Sequence, residues 1–399
     1  KLYSIYLVRR FMKLFKSLLV APATLGLLAP MSATANELNI TEVTNYSSSE
    51  EVQNISEFYP KELAITNSRV DGLEARFNDY EAGSFSTTTS ASFSVDMAIG
   101  AVDGNANEKL VTAYGYQIDL TSSFTGEDAL SVAIDAGQGA ASLGELDLNS
   151  SGDALQVDGI TYSFPVGEKL TVLVGDSTNG SALYSTACVY GGFTNTLDDC
   201  GNFNSAFIAN AGQPNSAGLS AAYDIGNGFT GAVGYQGQGT GDGLMTDGGL
   251  DYYGAQVSYA ADSYGFSVTY ANTEGVVATV PVTDATSWAL NGYYAFDSNL
   301  PSISLGYELG DTESAAVGDT SQWFVGLQWD EIGSGTLGLA AGTKGAQVEN
   351  AVEEMAYEAF YAYSVNDSMT ITPAVFILEN NLAGETDETG FVVKTSFSF

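Results

Sequence analysis

The chain has 399 residues, with 48 acidic side chains against 12 basic ones, no histidine and two cysteines. A net charge of −36 argues against nucleic acid as a partner. Without histidine, Ser-His-Asp and Cys-His catalysis are excluded, a zinc centre is not expected from two sulfurs, and neither a cofactor nor a metal is expected.

Residues 1–11 precede Met12 and read as a non-native extension. From Met12, "MKLFKSLLVAPATLGLLAPMSATANE" has two lysines, an apolar stretch from Leu18 to Met31, and Ala33-Thr34-Ala35 before Asn36. That order predicts a secretory signal peptide over 12–35. A retained anchor is the alternative, with Pro22 and Pro30 against it. No other segment approaches the roughly 20 apolar residues of a membrane helix. No acid precedes Asn36, whereas Lys1, Arg9, Arg10, Lys13 and Lys16 do, so the exported chain is more acidic still. Its acids are scattered among 45 glycines, 23 tyrosines and 20 phenylalanines, which is not the composition of a disordered acidic tail.

Residues 36–60 are polar and read as a loose segment. Over 61–82, Leu63, Thr66, Val70, Leu73, Phe77 and Tyr80 recur at alternating spacings of three and four, the pattern of a coiled-coil seam. So short a seam is marginal alone and needs an assembly held together elsewhere. A single helix packed on its own domain is the other reading.

From Gly83 the period becomes two. Sixteen segments read as strands, near 84–101, 109–123, 129–137, 154–164, 169–176, 216–225, 229–238, 250–260, 263–273, 285–297, 301–310, 320–330, 335–343, 354–365, 368–379 and 389–399. Tyr114, Tyr116, Ile118 and Leu120 share one face, with Gln117 and Asp119 opposite; Trp323, Val325, Leu327 and Trp329 face away from Gln322, Gln328 and Asp330. Tight turns such as Gly226–Gly228 and Asn366–Asp367 follow the even-numbered segments, and longer polar links follow the odd-numbered ones. An even set of strands with alternating short and long links predicts a transmembrane antiparallel β-barrel over 83–399. The final strand, "GFVVKTSFSF", puts Phe391, Val393, Thr395, Phe397 and Phe399 on one face, to meet lipid, and closes on the first strand. Tyr363, Phe296 and Trp329 fall at strand ends, where interfacial aromatics belong. A soluble sandwich or β-helix would have to hide aromatics on nearly every outward face.

The longest link, 177–215, is the third long loop and contains both cysteines. In an exported chain Cys188 and Cys200 read as one local disulfide, with two free thiols as the alternative. In a pore of this size the third loop forms the constriction, which brings Asp198 and Asp199 to the eyelet; solvated acids on an outward loop are the competing reading. Parity makes Asp119, Asp135, Glu358, Asp330 and Lys394 inward wall candidates. From Ser84 onward Lys109, Lys169, Lys344 and Lys394 are the only bases. An acidic lumen concentrates cations, so a weakly cation-favouring pore is expected. The alternative keeps the acids in outer loops with bound divalent cations. Asp242, Asp247 and Asp251 fit no EF-hand spacing and read as an ordinary loop rather than a calcium site.

"MKLFKSLLVAPATLGLLAP", "RVDGLEARFNDYEAGSFSTTT" and the terminal "FVVKTSFSF" resemble the outer-membrane porins of cyanobacteria, which are similar to the carbohydrate-selective (OprB-like) porin family. The resemblance covers most of the chain. It implies a homotrimeric pore in the outer membrane whose trimer supplies partners for the seam, a periplasmic N-terminal segment, and Phe399 as the signal to the barrel-assembly machinery. Family members commonly carry an S-layer-homology domain before the coiled coil. Here "ISEFYPKELAITNSRV" runs almost directly into the seam with room for only a stub, so wall-polymer anchoring is not carried over. The functions in play are passive diffusion of small hydrophilic solutes and ions, carbohydrates among them, a carboxylate-based barrel enzyme with no acid pair to single out, and a structural or adhesive surface barrel.

Overall fold

The computed structural model describes residues 89–105, 108–139, 141–200, 216–238, 243–246, 250–277, 280–297, 299–312, 318–381 and 386–399. The extension at 1–11, the leader at 12–35, the polar stretch at 36–60, and the seam residues Leu63, Thr66, Val70, Leu73, Phe77 and Tyr80 lie outside the described residues, as do Asp242 and Asp247.

The wall strands are β1 (Thr89–Asp103), β2 (Val111–Ser122), β3 (Ala129–Gly137), β4 (Gln156–Val166), β5 (Leu170–Asp176), β6 (Ser216–Gly226), β7 (Phe229–Gln238) and β8 (Leu250–Ala260). They continue with β9 (Tyr264–Val277), β10 (Val280–Tyr294), β11 (Ser302–Thr312), β12 (Asp319–Ile332), β13 (Gly335–Thr343), β15 (Met355–Asn366), β16 (Met369–Leu378) and β17 (Glu388–Ser398). Between β13 and β15, the two-residue β14 (Gln347–Val348) is a rung against Thr320 and Ser321 and not part of the wall.

Each wall strand pairs antiparallel with its sequence neighbours, and the ring closes where β1 meets β17. Ser94 through Asp103 pair with Ser398 back through Thr389. Beyond that ladder, the Phe93 N–H donates to the Phe399 carbonyl at 2.9 Å, and the Phe399 N–H returns a bond to Phe93 at 3.0 Å. Their rings stack with centroids 5.7 Å apart. Closure removes the unpaired edge that an open sheet would expose. The sixteen expected segments match these strands closely. β9 and β10 run further toward the long-link rim than expected, because a bulge between Val282 and Ala285 lets their ladder continue to Val277 and Val280.

Register fixes sidedness, since directly paired residues share a face. Met97 is level with Tyr114 and Thr395, Trp288 with Tyr270 and Leu309, and Val325 with Leu305 and Ala341. Met97, Val257, Trp288, Leu290, Leu305 and Leu309 on that face are exposed. The opposite face carries Asp96, Gln117, Ser220, Gln236, Gln256, Ser304, Gln328 and Glu358.

The short-turn rim shows local turn chemistry. Gly226, Asn227 and Gly228 all take positive φ (97°, 55° and 85°), a run only glycine and asparagine adopt readily. In the link from β2 to β3, Asp128 Oδ1 accepts from Ser123 Oγ (2.9 Å), Phe124 N (2.9 Å), and Thr125 N and Oγ1 (both 2.8 Å). Its Oδ2 accepts the Tyr162 hydroxyl of β4 at 2.7 Å. The Thr125 backbone N–H, then the Tyr162, Thr125 and Ser123 hydroxyls, hold the Asp128 carboxyl well below the usual carboxylate range. A lowered folded pKa means this contribution is complete above about pH 4 and is lost as pH falls toward the lowered value. Asp128→Asn should therefore unfold at lower temperature than the wild type at neutral pH, with the gap narrowing below about pH 4. A gap that stays constant on acidification would contradict this account of the turn.

Candidate functional site: a loop folded into the barrel

The link from β5 to β6 leaves the wall at Asp176 and does not stand away from the rim. Hydrogen bonds mark its path against the lumen face of strand after strand. Gly180 N donates to Gln236 Oε1 of β7 (3.1 Å) and Leu183 N to Ser220 Oγ of β6 (3.2 Å). Ser185 N donates to Gln256 Oε1 of β8 (2.7 Å), and Gln256 Nε2 donates back to the Ser185 carbonyl (2.9 Å). Val189 and Tyr190 N–H groups both reach Ser304 Oγ of β11 (3.1 and 3.2 Å), and Gly191 N reaches Gln328 Oε1 of β12 (3.0 Å). The path ends on β15, opposite β6 in the ring. A loop that contacts inward side chains on six strands, as far as the opposite wall, runs inside the barrel.

On β15 the carboxylate of Glu358 takes four donors. Oε1 accepts the Tyr190 hydroxyl (2.7 Å) and Phe193 N (2.9 Å); Oε2 accepts Thr194 N (2.9 Å) and Thr194 Oγ1 (2.6 Å). Glu358 is only 5% exposed, and its cross-strand neighbours are Ala340 and Phe376. Hydrogen bonds to a charged group contribute about 1.5–3 kcal/mol each, while burying a carboxylate costs several kcal/mol. The bonds offset the burial, and removing either side leaves buried polar groups unpaired. Burial, then the neighbouring Glu358 charge, pushes the Tyr190 hydroxyl pKa up.

Two further ties shape the loop. Cys188 and Cys200 form a disulfide with an S–S distance of 2.02 Å. The Asp198 carboxylate accepts Gly192 N at 2.9 Å, and Thr194 O accepts the N–H groups of Leu197 and Asp198. Residues 188–200 are thus a covalently closed ring, cross-tied inside and seated on Glu358.

The β3–β4 link folds inward as well. Leu143, Leu146 and Leu148 are buried in one cluster with Tyr190, Phe193, Leu197, Phe324, Phe360, Phe376 and Val392. The two loops also bind each other: Asn195 N donates to the Glu145 carbonyl (2.8 Å) and Thr196 Oγ1 to Glu145 Oε2 (2.7 Å). Glycine on the lumen face lets the loops lie flat. A Cβ on Gly326 would come within 2.7 Å of the Tyr190 ring, and one on Gly137 within 1.9 Å of the Leu148 carbonyl oxygen.

The two eyelet candidates and the five inward-wall candidates lie in different surroundings. Glu358 lies beneath the loop, and Asp198 is engaged within it. Asp199 follows in the 3-10 turn Asp198–Cys200. Asp330 sits exposed near the short-turn rim, accepting Gln328 Nε2 at 2.7 Å. Asp119 accepts Gln117 Nε2 (2.8 Å), and Asp135 is the cross-strand partner of Gln117, so both share the lumen face of β2 and β3. Lys394 lies 3.8 Å from Asp96, which sequence reasoning had not singled out, and 5.7 Å from the Phe193 ring. The wall anchors Ser220, Gln236, Gln256 and Ser304 were also missed, their only signal being polarity at inward parity; Gln328 was placed on the inward face but not as an anchor.

No protein-family model matches the chain. An uncharacterized protein of Nostoc sp., alr4550, is 26% identical over 439 aligned positions, covering 91% of this chain and 75% of that relative. Among solved structures, Pseudomonas putida OprB at high pH aligns with a TM-score of 0.59 at 13% identity, covering 82% of this chain and 97% of that one. Engineered variants of Rh. blastica porin align over 78% of this chain at a TM-score of 0.48 and 15% identity.

Gly137→Val should lift the β3–β4 link off the wall at a cost of about 1–3 kcal/mol. Limited proteolysis of the folded barrel should then cut within 138–155 in the variant and not in the wild type. Equal resistance of both would contradict the inward placement of that link.

Proposed function

We infer that the chain is an outer-membrane channel of the porin type, passing small hydrophilic solutes and ions by passive diffusion. The observation that carries this reading is the path of residues 180–194 across the inside of a sixteen-stranded ring. Rings of that size hold an aqueous channel rather than a packed interior, and an inserted loop sets their width. The name OprB, borne by a protein of the same fold, agrees with it. The exposed apolar face formed by Met97, Val257, Trp288 and Leu305 suits hydrocarbon.

The finer reading follows the charges. Asp96, Asp119 and Asp135 face the lumen, and Lys394 is the base that joins them there, paired with Asp96. This balance supports a weak preference for cations. The homotrimer, the periplasmic N-terminal segment, and Phe399 as contact for the assembly machinery complete the proposal. Carbohydrates are one class of solute it would admit.

A structural barrel with a filled lumen is the second reading. The apolar cluster of Leu143, Leu146, Leu148, Tyr190, Phe193 and Leu197 inside the ring favours it. Liposome swelling separates the two. The channel reading expects swelling that slows as the test sugar grows, whereas a filled barrel gives none at any size.

Reversal potentials in a KCl gradient should show cation preference, reduced toward none by the Asp119→Asn, Asp135→Asn pair. Anion selectivity in the wild type would overturn the charge assignment.

A further inference from the structure

We propose that Glu358 is the positioning residue of the pore: it holds the disulfide-closed ring 188–200 at one fixed distance from the β15 wall, so that the ring acts as a rigid constriction rather than a mobile flap.

The chemistry of the seat argues for this role. A carboxylate is the one side chain that accepts on two oxygens without donating, and here both are filled by two donors each. All four donors come from residues 190–194, on the side of the barrel away from the loop's departure at Asp176. The neighbours across the wall, Ala340 and Phe376, offer no substitute acceptor. The apolar side of the ring is placed by the same seat: Tyr190 packs on Phe324 and Phe360 at centroid distances of 5.5 and 5.9 Å, and Phe193 on Phe360 at 6.3 Å. Cys200 is fully buried there, whereas Cys188 is partly exposed. The disulfide fixes the shape of the ring; Ser304, Gln328 and Glu145 also tie it, and Glu358 holds it with four donors at one point.

The effect on current rests on the channel reading above; the effect on the loop does not. Two readouts keep them apart, both on detergent-purified full-length barrel whose heat-modifiable mobility on gels confirms folding. Native-state reduction of Cys188–Cys200 by dithiothreitol, followed by maleimide labelling, should run on the order of tenfold faster in Glu358→Ala, with Tyr190→Phe in between. Single-channel records of Glu358→Ala should show rapid substates around the wild-type level, with the strands intact. Glu358→Gln should behave like the alanine variant, because its amide nitrogen opposes a donor at Thr194. If Glu358→Ala does not fold, Glu358→Gln and Tyr190→Phe carry the test.

Reduction rates and current noise equal to wild type in the folded variants would overturn the proposal. Faster reduction with no conductance in the wild type would leave the seat standing and remove the channel reading instead.

Discussion

Closure is the constraint on which the other features depend. Once β1 pairs with β17, no strand has an edge, and each wall residue faces either outward or into the ring. That binary choice turns a simple alternation of apolar and polar residues into two surfaces of different chemistry. It also makes the interior a bounded space, so that a long link can be fixed by side chains on both sides of the ring. The terminal phenylalanine serves closure directly, exchanging two backbone hydrogen bonds with Phe93 and stacking on its ring.

The interior is organised by two kinds of contact. Neutral polar side chains at inward positions, from Gln236 to Gln328, each take one or two backbone N–H groups of the loop and set its course along the wall. Glu358 differs in taking four donors at one point. Apolar residues of both inserted links then fill the space beside β1 and β12 to β17, and Asp96, Asp119, Asp135 and Lys394 are among the charged groups on the neighbouring lumen face. The anchoring carboxylate and the lumen carboxylates share a parity in sequence but have different surroundings, and therefore different roles.

This division explains what the sequence could and could not reveal. Strand spans were legible because period-two alternation runs unbroken between glycine, asparagine and aspartate turns. Sidedness followed from it, so Phe391, Val393 and Phe397 fell on the outer face as read. The third long link stood out by length and by its cysteines. Parity gave only a direction and not a depth: it put Glu358 and Asp330 in one class, though one lies beneath the loop and the other is exposed near a rim. Leu143, Leu146 and Leu148 have no periodicity that marks a link as folded inward. Gly326 and Gly137 gave no sign that a ring or a carbonyl oxygen lies against them. The seam from Leu63 to Tyr80 and its proposed trimer fall outside the described residues.

The central claim is a sheet with hydrocarbon on one side and water on the other. It is tested most directly by spin labels placed one at a time from Tyr114 to Leu120 on β2, in liposomes. Collisions with lipid-dissolved oxygen should peak at Tyr114, Tyr116, Ile118 and Leu120, and collisions with a water-soluble paramagnet at Gln117 and Asp119, Gly115 being covered by the backbone of Leu148. A profile without that alternation, or one reached by the aqueous reagent at every position, would contradict the account.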